Sequence, residues 1–200
     1  MPYESPKYNS RTRWMNFWHQ VDEVCVLKPQ RVLEVGAGSG FVAERLRALG
    51  LVVTTVDIDA GLRPDIVGSV EKLPVSDASY DVVLAAEVLE HVPFERVPEA
   101  LKELRRVACQ AVITLPHAGS AFILRVKIPW IIDRTLFIKV PFFWKTHHNK
   151  YGDARGHYWE PGKRGYPRSR VRALFRDVGF QIVKERIFPD DIVRMLFVLR

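Results

Sequence analysis

The chain has 200 residues and a mass of 23.0 kDa, which suits one good-sized domain or one domain with a small appendage. Hydrophobic residues at 48% and charged residues at 26% exclude a disordered or low-complexity chain. The net charge of +7 is unevenly placed: His117 to Arg170 carries eleven basic residues against three acidic ones, or +8, which leaves −1 for everything else.

Residues 9 to 27 have Trp14, Phe17, Trp18, Val21, Val24 and Leu27 at helical spacing. Short apolar runs then alternate with helical patterns, the signature of βαβ units on a parallel sheet. Arg31 to Val35 predicts a first strand that runs into Gly36-Ala37-Gly38-Ser39-Gly40. Phe41 to Leu49 predicts a helix stopped by Gly50, and Leu51 to Val56 a second strand ending at Asp57. Strands are expected near Asp65 to Val67, at Asp81 to Ala86 and at Ala111 to Leu115, with an amphipathic helix at Val97 to Val107. Residues 117 to 167 form a connection far longer than the few residues usual between strand and helix, and connections of that size are commonly lids or binding elements. A helix at Ser169 to Val178 and strands at Phe180 to Phe188 and Ile192 to Leu199 complete the chain; the short Pro189-Asp190-Asp191 link permits only an antiparallel pair.

Cys25 and Cys109 form no CxxC pair, so a cysteine zinc site is excluded and a reducing, cytoplasmic location is expected. The opening MPYESPKY lacks the charged start and apolar core of a secretion signal. The apolar stretch Ala121 to Trp144 is broken by Arg125, Lys127, Asp133, Arg134 and Lys139 and cannot cross a bilayer as written.

Glycines directly after a first strand permit a sharp turn and let a ligand approach the backbone. Asp57, ending the second strand, stands where a carboxylate accepts hydrogen bonds from both hydroxyls of a ribose. The dehydrogenase form of this fingerprint is absent, because Phe41 stands where it requires glycine. Tyr-x-x-x-Lys of the short-chain reductases occurs only at Tyr3 to Lys7, and no Gly-Lys-Ser/Thr makes a P-loop.

VLEVGAGSG, then VVTTVDID, then GSVEKLPVSDASYDVVLAAEVLEH resembles the class I S-adenosylmethionine-dependent methyltransferases, in their small-molecule, type 11 branch. The resemblance implies an α/β, Rossmann-like fold in which helices cover both faces of a seven-stranded, mostly parallel sheet. The C-terminal hairpin would be antiparallel, with the last strand inserted before the sixth. It also implies a single domain over 1–200: a cap helix at 9–27, a cofactor-binding half at 30–116, a basic aromatic lid at 117–167, and the terminal helix and hairpin at 168–200. The expected cofactor is S-adenosylmethionine, leaving as S-adenosylhomocysteine. Gly36, Ala37, Gly38 and Gly40 would line its methionine and ribose portion, with Glu34 near the amino group, Asp57 on the ribose and Ile58 on the adenine. Ser69 and Val70 occupy the place of an Asp-Ala pair in many relatives, so the adenine contact falls to backbone or to Glu71. Ala86 and Glu87 would pass under the sulfonium, and Trp14, with Arg11, Arg13 and Trp18, would cover the methionine end.

For a general base the candidates are His117, which follows the fifth strand, and His157 and Glu160, with His91 either a base or a helix-start residue satisfied by backbone. His147-His148 and Gly156-His-Tyr-Trp-Glu160 lack the context of a metal site, and no metal is expected. The partner expected is a small molecule of acidic or amphipathic character. Basic residues interleaved with aromatics also suit RNA, but no Asn/Asp-Pro-Pro-Tyr/Phe motif for base amines occurs and nucleic acid is not the expected partner. Anionic lipid met peripherally through the 117–167 lid, an RNA or protein acceptor and a non-catalytic binder stay open as alternatives. The sequence leaves the oligomeric state open.

Overall fold

Val82, Val83, Leu84 and Ala85 are all completely buried, which a strand achieves only when both of its faces are covered. A computed structural model, which describes residues 10–128, 130–142, 144–145 and 156–200, shows how. Strands β1 (Arg31–Val35), β2 (Val52–Asp57), β3 (Ile66–Val67), β4 (Tyr80–Ala86) and β5 (Ala108–Pro116) are parallel. After an excursion containing β6 (Gly119–Ile128) and β7 (Ile132–Pro141), the chain returns with β8 (Ile182–Phe188) and β9 (Asp191–Leu199). The sheet order is β3-β2-β1-β4-β5-β9-β8, with β9 antiparallel to both neighbours. This is the expected seven-stranded sheet, last strand inserted before the sixth.

Alternate residues sort the core into two halves. Val32, Val82, Leu84, Val112, Leu196 and Val198 face helices α1 (Arg11–Val26) and α2 (Phe41–Ala48). Leu33, Val83, Ala85, Ile113, Met195 and Phe197 face α3 (Val97–Val107) and α4 (Arg168–Asp177). Local chemistry fixes the ends of these elements. Ser10 caps α1 by accepting from the Arg13 amide at 3.4 Å. The Asp81 carboxylate accepts from the amides of Gln30 and Arg31 at 2.8 and 2.7 Å, tying the start of β4 to that of β1.

The excursion departs from a simple connection. Its first part is a two-stranded antiparallel hairpin, in register from Gly119 opposite Pro141 to Ile128 opposite Ile132. At its root the Lys139 ammonium donates to the carbonyls of His117, Gly119 and Ile192. The returning segment from 156 is packed into the body. Trp159 is 1% exposed, and its indole N–H lies 3.1 Å from the carbonyls of both Leu89 and Val92. An apolar strand pattern was expected to begin at Phe180, but β8 begins at Ile182; Phe180 is a buried core residue just ahead of it. His147, His148 and Tyr151 of the expected lid lie outside the described residues.

Candidate active site

The C-terminal ends of β1, β2, β4 and β5 meet in two adjoining hollows. One, of about 290 Å³, is walled by Gly36, Gly38, Asp57, Ile58, Gly68, Ser69, Val70, Glu71 and Val88, among others. The other, of about 380 Å³, is walled by Arg13, Ala86, Pro116, His157, Val193 and Arg194. Gly36, Gly38, Glu87 and His91 border both, so the two form one bent depression. A larger hollow of about 510 Å³ lies among Lys102, Arg105, Arg106 and Arg200, where no turn or buried carboxylate converges. Chemistry rather than volume selects the site.

The turn from β1 to α2 has Gly36, Gly38 and Gly40 at φ +76°, +55° and +76°, which L side chains rarely adopt. At Gly36 a Cβ would sit 2.3 Å from Cγ2 of Val88, so a side chain there collides with the wall of the depression. The Gly38 amide donates to Asp57 Oδ2 at 3.3 Å, and the Asp59 amide to Asp57 Oδ1 at 3.0 Å. These contacts hold the carboxylate at the rim of the first hollow. The Ser69 hydroxyl accepts from the Glu71 amide at 3.3 Å, and the Glu71 carboxylate pairs with Arg96 at 2.8 Å.

Four other residues of the expected cofactor set stand back from the depression. Glu34 is buried beneath the turn, and burial pushes its carboxyl up to about 8, only partly opposed by the Ala43 amide. Gly40 begins α2, and Ala37 accepts the Gly40 amide at 2.9 Å. Trp14 is half exposed and sets its ring edge-on to Phe41, centroids 4.7 Å apart.

The proposed bases separate into two groups. His91 borders both hollows, and His157 borders the second. Their rings meet edge to face at 4.9 Å, and Nδ1 of His157 lies 2.9 Å from Glu160 Oε1. Glu160 itself is buried behind His157 and also pairs with Lys163 at 3.2 Å. His117 lines neither hollow: it is 4% exposed, and burial, aided by Lys139 and Arg168, pushes its imidazole down to about 4. It is therefore neutral at physiological pH and lies under the Gly162 turn, where a Cβ added to the glycine would come 3.3 Å from its ring.

Sequence reasoning missed a charged group from β9. Arg194 donates to Glu87 at 3.1 Å and to Asp191 at 3.0 Å, and Thr114 donates to Glu87 at 3.4 Å. Glu87 holds φ +58°, a strained conformation for a non-glycine residue, beside this pairing. An arginine inside the apolar run Ile192 to Leu199 was the signal. The fully buried Glu90 has neither carboxylate oxygen hydrogen-bonded, and burial together with the Glu87 charge pushes its carboxyl well above the usual range. Among the described residues, donor atoms of Glu90, His91 and His157 lie within 4.8 Å of one another, a spread that a cation could use. Their separation along the chain hid this grouping from the sequence.

Residues 33–112 match the family described as "Methyltransferase domain". A ubiquinone biosynthesis O-methyltransferase from Azorhizobium caulinodans is 34% identical over 91 residues, covering 38% of this chain and 36% of that protein. The chain thus spans about a third of the length of the curated relatives it matches first. A methyltransferase from Streptomyces caelestis superposes with a TM-score of 0.62 at 16% identity, over 92% of this chain and 94% of that one. The 1,6-didemethyltoxoflavin-N1-methyltransferase of Burkholderia thailandensis, solved with bound 1,6-didemethyltoxoflavin and S-adenosylhomocysteine, gives 0.60 at 16% identity over 94% of this chain and 80% of that one.

Proposed function

We infer, for a chain with a methyltransferase domain at residues 33–112 and the methyltransferase sheet around it, that it moves a methyl group from S-adenosylmethionine to a small-molecule acceptor. The observation that carries this reading is the bent depression itself, with a glycine turn on one side, the Asp57 carboxylate at its rim, His91 at the bend and His157 in the second hollow. The residues fit the cofactor: a Cβ at Gly36 would collide with Val88 in the wall of the depression, and Asp57 supplies acceptors for ribose hydroxyls. Gly36, Gly38, Asp57, Ile58 and Ser69 to Glu71 hold the nucleoside, while Ala86 and Glu87 border the junction where the second hollow begins. Glu34, Ala37, Gly40 and Trp14 act from behind, supporting the turn and α1. When bound, the sulfonium of S-adenosylmethionine supplies the electrophilic methyl.

The chain's own contribution is alignment and exclusion of water. Arg194 fixes Glu87 at the junction, and the second hollow receives the acceptor between the apolar Pro116 and Val193 and the basic Arg13. That mixture suits an acidic or amphipathic molecule. Where the acceptor must lose a proton, His157, oriented by Glu160, and His91 are within the depression to take it. His117 keeps a structural role. Among the relatives are an O-methyltransferase of ubiquinone biosynthesis and a structure with 1,6-didemethyltoxoflavin bound, both of which concern small molecules. We place the reaction in the cytoplasm because Cys25 and Cys109 are both free thiols. Any membrane contact would be peripheral and made by the 117–167 segment.

Titration calorimetry with S-adenosylhomocysteine tests the reading. One-to-one binding is expected, abolished by Gly38→Val with an unchanged circular-dichroism spectrum. No heat and no thermal shift with either form of the cofactor would sink it.

A further inference from the structure

The β6–β7 hairpin exposes side chains that a strand normally hides. Its register sets Phe122 opposite Ile138, Leu124 opposite Leu136 and Ile128 opposite Ile132. Alternate residues share a face, so all six stand on one side of the ribbon. Each of them is between 40% and 68% exposed. The only charge on that side is Arg134, opposite Val126, and its long stem can lie along the apolar strip while the guanidinium reaches polar surroundings. Trp130 at the tip is fully exposed, and Ile131 beside it is 76% exposed. A two-stranded ribbon with one such face is marginal in water by itself, and contiguous apolar patches of this kind mark contact surfaces.

We propose that this face of the hairpin docks on an anionic lipid surface, with Trp130 and Ile131 entering first. Composition selects the occupant. Arg134 stands on the apolar face and Lys127 beside the tip on the other face. Arg125 is paired with Asp133 at 3.1 Å and Lys139 is held by carbonyls at the root, so the excess charge near the tip is positive. A tip with Arg134 and Lys127 beside an exposed tryptophan, at the end of an apolar strip, suits acyl chains beneath acidic headgroups. A second copy would bring the same excess of positive charge against itself, which opposes self-association. The hairpin leaves the sheet just past Pro116, which borders the second hollow, so docking would bring the lipid surface to the side of the molecule where the depression opens. This surface stands apart from the methyl-transfer reading, because none of its residues borders either hollow.

The test uses the full chain with two kinds of vesicle, phosphatidylcholine alone and phosphatidylcholine with phosphatidylglycerol. Sedimentation with the anionic vesicles only is expected, weakened by salt. Leu124→Ser/Leu136→Ser and, separately, Trp130→Ala should each lower vesicle affinity by at least about tenfold, the loss expected for removing a buried apolar side chain. Their melting temperature and S-adenosylhomocysteine binding should be unchanged, which keeps this outcome independent of the cofactor site. The proposal is overturned if the wild type stays in the supernatant or if the variants bind vesicles like the wild type. It is equally overturned if sedimentation velocity finds a dimer that Leu124→Ser/Leu136→Ser abolishes, because a second copy would then be the occupant.

Discussion

Two strands of this protein have similar chemistry and opposite fates. Strand β4 reads Tyr-Asp-Val-Val-Leu-Ala-Ala and β6 reads Gly-Ser-Ala-Phe-Ile-Leu-Arg-Val-Lys-Ile, both rich in β-branched and aliphatic residues. In β4 four consecutive side chains are completely buried between helices, whereas in β6 nearly every residue is exposed. Apolar pattern thus specifies a strand without specifying what covers it. Cover comes from tertiary neighbours, α1 and α2 on one face and α3 and α4 on the other for β4, and none of these for β6.

The sharpest way to break this comparison is to make one substitution in both strands. Leu84→Ala should cost about 2–5 kcal/mol in urea unfolding, the range for emptying a packed core site. Leu124→Ala should stay within about 0.5 kcal/mol, as for other exposed positions. Equal losses would show that the hairpin face is covered within the monomer.

The next effect is on pH. Burial holds His117 neutral in the folded chain down to about 4, while in the unfolded chain it takes up a proton near 6.5. The unfolded state therefore binds more protons between these values. Stability should be fully present above about 6.5 and fall as the pH drops toward 4, by roughly 3 kcal/mol at most. His117→Leu should flatten that part of the profile; an unchanged profile would mean that the imidazole reaches water. Glu34 acts with the opposite sign, since its carboxyl is raised to about 8 and stability is lost as the pH rises from about 4.5 toward that value. In Glu34→Gln the alkaline fall should disappear.

A smaller effect is expected at the rim of the depression, where Asp57→Ala should weaken S-adenosylhomocysteine by about 1.5–3 kcal/mol in calorimetry. Replacing 119–141 with a short Gly/Ser linker should leave that affinity intact. If it removed cofactor binding, the excursion would belong to the nucleoside site.

The buried half was legible because local rules and tertiary outcome agree there. Val32 to Val35, Val52 to Val56 and Val82 to Ala85 read as strands, glycines marked the first turn, and Asp57 ended a strand where a ligand edge must lie. The excursion was harder. Its basic residues masked the alternation that pairs Phe122 with Ile138 and Leu124 with Leu136, so strands were not anticipated. Trp159 read as one aromatic of a lid, yet it is core, because its partners Leu89 and Val92 lie about seventy residues earlier. The Glu87–Arg194–Asp191 group joins the start of β9 to the residue after β4 across the end of β5, positions about a hundred residues apart in the chain. His117 looked like a rim residue from its place after β5, but the Gly162 turn covers it.

Gly119 stands opposite Pro141, and the Phe142 amide donates to the Ala118 carbonyl at 3.4 Å, so the two ends of the hairpin meet. Whatever lies between them closes a loop, and closure entropy grows only with the logarithm of its length, about 0.6 kcal/mol for each doubling. The body is therefore nearly indifferent to the size of what hangs from this junction. Segments of quite different length could be grafted between Gly119 and Pro141, outside the returning segment that carries Trp159, at little cost to the fold, which makes this point of the chain a natural socket for exchanging one surface preference for another.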